Sequence, residues 1–332
     1  MKKTLISIIM LLLIGLAERL QAQVDPHFSQ YYAYPLWLNP ALTGVIDGDM
    51  RLTGNFKEQW PTINKAYKTG ALSADFRSSE KVGIGFNIIN QAAGTAGYNY
   101  FAAYGSFGYG ISISPNGYQK LHFGLQAGVI NRSFDPNKLQ FDNQYGPING
   151  FDPNVPNFEN FTTTSATVFD ANVGVFYDDE DPLNTANVFG GVSIAHLNRV
   201  KDPFTAEGVN SKLPVRYTIH GGVRVKASEF FDITPHAIYI KQQKTQIRAL
   251  GIYSELKVQD DQGLILGGMY RLNDAFVADA GYHFKNMVIG VSYDFNSSAL
   301  SSATSGQGGI ELSVSYILGK GIANPARVCP RF

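Results

Sequence analysis

Apolar and polar or small residues alternate with a period of two along most of the chain after Asp49. In residues 287–295 an apolar set (Met287, Ile289, Val291, Tyr293, Phe295) alternates with a small or polar set (Val288, Gly290, Ser292, Asp294). Residues 276–284 repeat the pattern, and Lys285 and Asn286 separate the two segments. Because side chains alternate between the faces of a strand, the two segments predict a hairpin with one apolar face.

About fourteen such segments follow one another along the chain. They lie near residues 50–58, 67–77, 82–90, 99–113, 120–131, 167–177, 186–196, 215–226, 231–241, 246–256, 264–271, 275–284, 287–295 and 309–318. Each has close to the ~10 residues that a tilted strand needs to cross an outer membrane, and the number is even. Two segments fit less well, since 231–241 contains Pro235 and 246–256 alternates poorly. The pattern predicts an all-β fold, a transmembrane antiparallel outer-membrane β-barrel of about 14 strands, over residues 49–318.

The connections between these segments fall into two sets that alternate along the chain and differ in length. One set is mostly short (78–81, 115–119, 227–230 and 285–286), with 178–185 longer, and the other set contains the long connections 132–165, 197–214 and 296–308. Outer-membrane barrels have short periplasmic turns and longer external loops, whereas a soluble sandwich or propeller, the alternative, has no reason to sort loops in this way. Glycines on the small face, such as Gly83, Gly85, Gly124, Gly128 and Gly174, leave room for a lumen or for a packed plug.

The N-terminus is predicted to be a secretory signal peptide of residues 1–22. Lys2 and Lys3 precede an apolar run over residues 5–17, and Ala22 stands at the cleavage position. The mature chain would begin at Gln23, and an uncleaved signal anchor is the alternative. Residues 319–332 form a predicted tail with Cys329, the only cysteine, so an internal disulfide is excluded.

The sequence gives little indication of catalysis, and it predicts neither an enzyme nor a cofactor. We find no nucleophile elbow, phosphate loop or paired-histidine zinc motif. Inward-facing His122, His220 and His283 could serve a hydrolase in the barrel wall, but polar residues are ordinary on a lumen face. The acidic run 178–181 could bind calcium, although a solvated acidic turn is the simpler interpretation. A formal net charge of zero gives no basis for binding nucleic acid.

Residues 25–44 (DPHFSQYYAYPLWLNPALTG) break the strand pattern. Three prolines exclude a long helix, and so much aromatic surface has to be covered. We expect this segment, part of an N-terminal region over residues 23–48, to lie in the periplasm or to fold into the lumen. It would either dock a partner or seal the barrel as a plug, and the candidate residues are Asp25, Pro26, Phe28, Ser29, Gln30, Tyr31, Trp37, Asn39, Pro40 and Ala41.

These same residues carry a family resemblance. Asp25, Pro26 and Phe28–Tyr31, followed by Asn39, Pro40, Ala41 and Gly44, resemble the DPxFSQY and NPALxG motifs that begin the mature PorP/SprF outer-membrane proteins of the type IX secretion system. The ending Cys-Pro-Arg-Phe, residues 329–332, is also similar to the family's frequent C-terminus.

The resemblance implies a non-enzymatic protein of the bacterial outer membrane. Such a protein helps export or anchors a large surface protein with a C-terminal sorting domain, such as a gliding adhesin. Its partners would be that secreted protein, periplasmic components of the secretion machinery and outer-membrane lipid. The aromatic connection 132–165 is either a constriction in the lumen or a surface for a partner. A channel for small nutrients is the alternative function.

Overall fold

The structure, a computed structural model, describes residues 25–63, 66–146, 150–156, 159, 161, 163–199, 212–259 and 261–319. Within them fourteen antiparallel strands close into one barrel. The strands are β1 Met50–Gln59, β2 Tyr67–Arg77, β3 Val82–Ala93, β4 Tyr98–Ser112, β5 Gln119–Ser133, β6 Ser165–Asp179, β7 Ala186–Ala195, β8 Arg216–Lys226, β9 Phe231–Gln242, β10 Thr245–Gln259, β11 Gln262–Arg271, β12 Ala275–Phe284, β13 Met287–Asn296 and β14 Gln307–Leu318. The predicted barrel and its number of strands are confirmed.

The barrel closes between its first and last strands. Met50 pairs with Leu318 and Gln59 with Gly309, and the register between β1 and β14 is unbroken. Every other strand pairs with its neighbours in sequence. In a closed sheet every strand finds partners for its backbone N–H and C=O groups on both sides. An open edge in hydrocarbon would leave these groups without partners.

The alternation in the sequence separates an outer from an inner face. Leu72, Leu125 and Phe276 on the outer face are more than half exposed, whereas Thr53, Ser73 and other small or polar side chains on the inner face are buried. Both weakly patterned segments are strands, β9 and β10. Pro235 lies within β9 opposite Ile252 of β10. On its other side, the pairing of β9 with β8 is interrupted between Gly222–His236 and Val225–Ile233, at the position where proline has no N–H to donate.

The two ends of the barrel differ. The turns at one end span two to six residues each, and we call it the short-turn end. The three longest connections, 134–164, 196–215 and 297–306, all leave the opposite end, which we call the long-loop end. That the short-turn end faces the periplasm stays a prediction.

The longest connection, 134–164, folds largely upon itself. It contains two 3-10 turns, Pro136–Lys138 and Asp142–Gln144, and a two-stranded ribbon of Tyr145–Gly146 with Gly150–Phe151. Aromatic rings hold it together, with centroids 5.5 Å apart for Phe134 and Phe161 and for Tyr145 and Phe151.

None of the helices in the described part of the chain has the length and apolar character needed to cross a membrane. The predicted signal peptide and the tail that carries Cys329 lie outside the described residues.

Candidate functional site

Residues 25–48, which we call the inner segment, lie inside the barrel. They form no strand but a 3-10 turn (Tyr31–Ala33), a single helical turn (Pro35–Leu38) and a second 3-10 turn (Pro40–Leu42). Pro35 and Pro40 stand at the first position of their turns, where the fixed φ of proline is favourable and its missing N–H costs nothing. The Trp37 indole N–H donates to the Pro26 carbonyl at 2.8 Å and folds the segment back on itself.

The aromatic side chains of the inner segment fill the lumen in two clusters. Tyr31, Tyr32, Leu38 and Leu42 pack against β6, β7, β9 and β11 through Phe176, Phe189, Ile238 and Met269. Phe28, Tyr34 and Trp37 pack against Tyr100, Tyr104, Ile130 and Leu213. All of these side chains are buried, so the aromatic surface that the sequence left without a partner is covered by the barrel wall.

The turn at Asn39–Ala41 rests on glycines of the wall. A Cβ added at Gly124 would lie 2.1 Å from the carbonyl carbon of Pro40, and one at Gly174 would lie 1.9 Å from Asn39 Oδ1. Gly44 has a φ of +77°, which also requires glycine. The inner segment therefore approaches the wall at backbone distance, which only residues without a side chain permit.

Asn39 joins this turn to the wall and to a histidine. Its Oδ1 accepts from the N–H of Ala41 at 3.0 Å, and its Nδ2 donates to the Val175 carbonyl at 3.0 Å. His220 Nε2 lies 3.1 Å from the same Nδ2, and His220 Nδ1 lies 3.3 Å from the Tyr32 hydroxyl.

The two other inward-facing histidines are engaged elsewhere. His122 contacts Asp178 at 2.9 Å, and His283 contacts Glu255 at 3.2 Å. The three histidines named in the sequence therefore have separate partners and form no common site.

A buried group of charges holds Ser29, and we call Ser29, Lys57, Arg271, Asp294 and Glu311 the charge cluster. The Ser29 hydroxyl donates to Asp294 at 2.7 Å and accepts from Lys57 at 2.8 Å and from Arg271 at 3.0 Å. Its backbone N–H donates to Glu311 Oε2 at 2.7 Å, and the Gln30 N–H donates to Glu311 Oε1 at 3.1 Å. Two cations and two carboxylates from four strands thus converge on one residue of the inner segment.

A second group lies where β6, β7, β8 and β9 approach the long-loop end, and we call Asp25, Asp170, His196, Arg216 and Gln242 the mouth cluster. Asp25 Oδ2 lies 2.7 Å from His196 Nε2 and 2.9 Å from Arg216 Nη1. The Asp25 N–H donates to Gln242 Oε1 at 3.0 Å, and His196 Nδ1 lies 3.0 Å from Asp170 Oδ2. The inner segment therefore runs from the long-loop end at Asp25 down to the start of β1 at the short-turn end.

The pKa values of Asp25 and His196 reflect the charges that surround them in the mouth cluster. Burial raises the pKa of Asp25, but the charges of His196 and Arg216 outweigh it and hold that pKa well below the usual range. Burial lowers the pKa of His196, but the Asp25 charge and hydrogen bonds to Asp170 and Asp25 raise it to about 9. The cluster is therefore a fixed ion pair at neutral pH.

The structure brings all ten candidate residues of the sequence into the lumen. Nine of them are buried, and Asp25 is half-buried at the mouth. The sequence reasoning missed their charged partners: Lys57, Asp170, His196, Arg216, Arg271, Asp294 and Glu311. Most of these are charged residues at inward positions of predicted strands, and that was the signal that could have found them.

A small cavity remains between the inner segment and the wall formed by β8–β11. Its volume is about 40 Å³, and Phe28, Trp37, Ile238 and Met269 are among the residues that line it. That volume holds a few water molecules and is well below the ~150 Å³ of a cavity that admits benzene.

The acidic run at 178–181 is not a solvated turn. Asp178 and Asp179 are buried, and Asp179 Oδ1 accepts from the Asp181 N–H at 3.0 Å. Lys120 pairs with Glu180 at 2.5 Å, so these carboxylates brace the turn itself. Within the described ranges, no group of three or more histidine, cysteine or acidic residues is placed to hold a metal ion.

Solved structures share the architecture of this chain at low sequence identity. The toluene transporter TbuX of Ralstonia pickettii superposes with a TM-score of 0.53 and 10% identity, over 86% of this chain and 93% of that one. The monoaromatic hydrocarbon channel CymD gives a TM-score of 0.51 and 11% identity, over 86% and 93% of the two chains. These similarities show the fold alone.

Sequence comparison identifies the family. No curated protein sequence matches the chain. The family model described as type IX secretion system membrane protein PorP/SprF matches residues 20–316, which include the inner segment and nearly all of the barrel. The chain therefore belongs to the PorP/SprF family of type IX secretion system membrane proteins, and it is an outer-membrane β-barrel.

Proposed function

We propose that this barrel is a closed platform that helps export, or anchors at the cell surface, a protein with a C-terminal sorting domain, such as a gliding adhesin. One observation carries the proposal: the inner segment fills the lumen, while a large folded connection stands at the long-loop end. A barrel so filled is poorly suited to free passage of solutes but offers a rigid base for protein contacts. Family membership supplies the secretion context.

The ten candidate residues of the inner segment are assigned to the plug rather than to partner docking. A docking residue needs an accessible side chain, and nine of the ten are buried against the wall or within the segment. Secreted cargo would instead contact the long-loop end, and secretion-machinery components in the periplasm would contact the short turns.

The connection 134–164 is the cargo-docking candidate. Its ribbon exposes about half of the Tyr145 side chain, and exposed aromatic side chains are common anchors of interfaces. Its own ring contacts and hydrogen bonds, such as Gln144 Nε2 to the Val155 carbonyl at 3.0 Å, pre-order that surface.

The test is a pull-down from native outer membranes in gentle detergent, with the partners identified by mass spectrometry. We expect one large secreted protein with a C-terminal sorting domain. Replacing residues 136–161 by a flexible linker should abolish its recovery, whereas replacing the turn at 78–81, at the other end, should leave it intact. Recovery of the same cargo with the shortened loop would move the docking site elsewhere.

A channel for small apolar nutrients is the second candidate. Two observations favour it: TbuX is a toluene transporter and CymD a monoaromatic hydrocarbon channel, and an apolar cavity lies beside Trp37. The size of the cavity argues against it, since ~40 Å³ does not admit an aromatic ring. Recovery of the barrel without cargo, together with uptake of a labelled aromatic hydrocarbon, would favour the channel.

A further inference from the structure

The wall behind the inner segment combines the apolar patches described above with many polar side chains. The uncharged polar side chains include Thr53, Asn55, Ser73, Asn87, Ser106, Gln126, Asn172, Ser193, Thr218, Ser292, Ser313 and Ser315. Transmembrane barrels have polar interiors both in water-filled porins and in barrels that a loop or helix plugs, so this wall is compatible with a lumen that water can enter.

Five of these polar side chains hydrogen-bond one another. Thr53 and Ser73 share a hydrogen bond of 2.5 Å, and Gln126 bonds Asn87 at 2.8 Å and Asn172 at 2.9 Å. These bonds persist when the inner segment is absent, whereas Ser193, Ser292 and Ser313 bond the segment and would bond water instead.

The charge cluster also remains paired without the inner segment. Arg271 lies 2.9 Å from Asp294, and Lys57 lies 3.4 Å from Asp294 and 3.8 Å from Glu311. Loss of Ser29 therefore leaves no single buried charge alone, which is the costly situation in a protein interior. In the mouth cluster, His196 keeps its contact with Asp170, and Asp25 would pass into water.

The inner segment is tied to the wall by side-chain contacts, such as those of Tyr34 and Asn39, and not by strand pairing. It contributes no strand, and its turns make backbone hydrogen bonds within the segment, such as Ala33 to Gln30 at 2.9 Å and Leu42 to Asn39 at 3.0 Å. Residues 45–48 connect it to β1, and Asp25 anchors the far end.

From these features we propose that the barrel, closed in this structure, is also a gated pore: the inner segment is a displaceable plug, anchored far from β1 by Asp25 and Ser29, and its release opens a water-filled lumen for ions and small polar solutes. The contacts of Asp25 and Ser29 are polar and can be exchanged for water, whereas the aromatic contacts of the inner segment with the wall set the free-energy cost of its release.

The first measurement uses the unmodified protein and follows amide hydrogen exchange in detergent or nanodiscs by mass spectrometry. A displaceable plug exchanges by local opening while the barrel stays folded. Amides of residues 30–43 should therefore exchange at least tenfold faster than amides of β1–β14. Equal rates would mean that the segment leaves only on global unfolding, and would overturn the proposal.

The second measurement is the conductance of the protein in planar bilayers with potassium chloride. The double variant Asp25→Asn/Ser29→Ala should open at least tenfold more often than the unmodified protein. Arg224→Gln is the matched control, because Arg224 pairs with Asp232 at 2.5 Å near the short-turn end, whereas the mouth and charge clusters lie toward the long-loop end. The control should stay closed.

A folded double variant that does not conduct would overturn the pore even if exchange is fast. If the double variant fails to fold, exchange in the unmodified protein decides. Neither measurement involves cargo, so a failed cargo pull-down and a failed gate are separate results.

Discussion

The close approach of the inner segment to the wall determines which residues fit at particular positions of the barrel. Gly124 and Gly174 occupy inward positions where any Cβ would overlap the turn at Asn39–Ala41. From the sequence alone these glycines indicated room for a lumen or a plug, but not which, because alternation specifies the face of a residue and not its neighbour across the lumen.

Replacing either glycine by alanine should displace the turn and destabilise the protein. Overpacking of this kind costs about 1–3 kcal/mol. We expect Gly124→Ala and Gly174→Ala to lower the midpoint of thermal unfolding in detergent. Gly70→Ala is the control, since a Cβ there meets nothing within 4 Å and should change little. Equal effects at all three positions would show that strand propensity, not the turn, sets the requirement.

His196 should titrate far above an ordinary histidine, because it stands between Asp25 and Asp170. Its pKa is raised to about 9, so the stability it adds is fully present below its unfolded value of about 6.5 and is lost as the pH rises through about 9. Carbon-13 NMR of labelled histidines, with His196→Gln to identify the signal among the six, measures this value. A midpoint near 6.5 would show that the ion pair does not persist in solution.

At the scale of elements, the strands were predictable and their charged contacts were not. Period-two alternation located all fourteen strands, including β9 with Pro235 and the poorly alternating β10. The inner segment was recognised as a docked element by its aromatic content. Its partners on β1, β11, β13 and β14 are distant in sequence, and local pattern carries no information on which inward charges converge.

The charge cluster should behave as a buried unit, unlike the ion pairs of the surface. Lys57 is 2% exposed, and Lys57→Met would leave Asp294 paired with Arg271 while it removes the ion pair of Glu311 with Lys57. Breaking a buried pair from one side costs about 3–5 kcal/mol. Urea unfolding in micelles should show a loss of this order.

Lys68→Met is the matched control, because Lys68 pairs with Glu58 at 3.3 Å on an exposed face and such pairs contribute about 0–1 kcal/mol. Similar losses in the two variants would mean that the cluster is hydrated.

At the scale of the whole molecule, the difference in length between the connections at the two ends of the barrel predicts how the barrel is oriented in the membrane. Tyr145 lies in the longest connection, and Leu183, 90% exposed, lies in a turn at the opposite end. In a Cys329→Ser background, a membrane-impermeant maleimide should label Tyr145→Cys on intact cells and Leu183→Cys only after the outer membrane is opened. The reverse pattern would invert the barrel and with it the proposed cargo face.

The bond between Ser29 and Glu311 has a consequence for biogenesis. It joins residues 282 positions apart, one near the beginning of the inner segment and one in the last strand. Contacts at such separation form late, because a long loop must close first. Ser29 can be seated fully only once β14 has been synthesised and paired with β1, so a truncated chain cannot complete its interior. Filling of the lumen thus requires that all fourteen strands are in place, and the segment that precedes the first strand depends on the last strand for its seat.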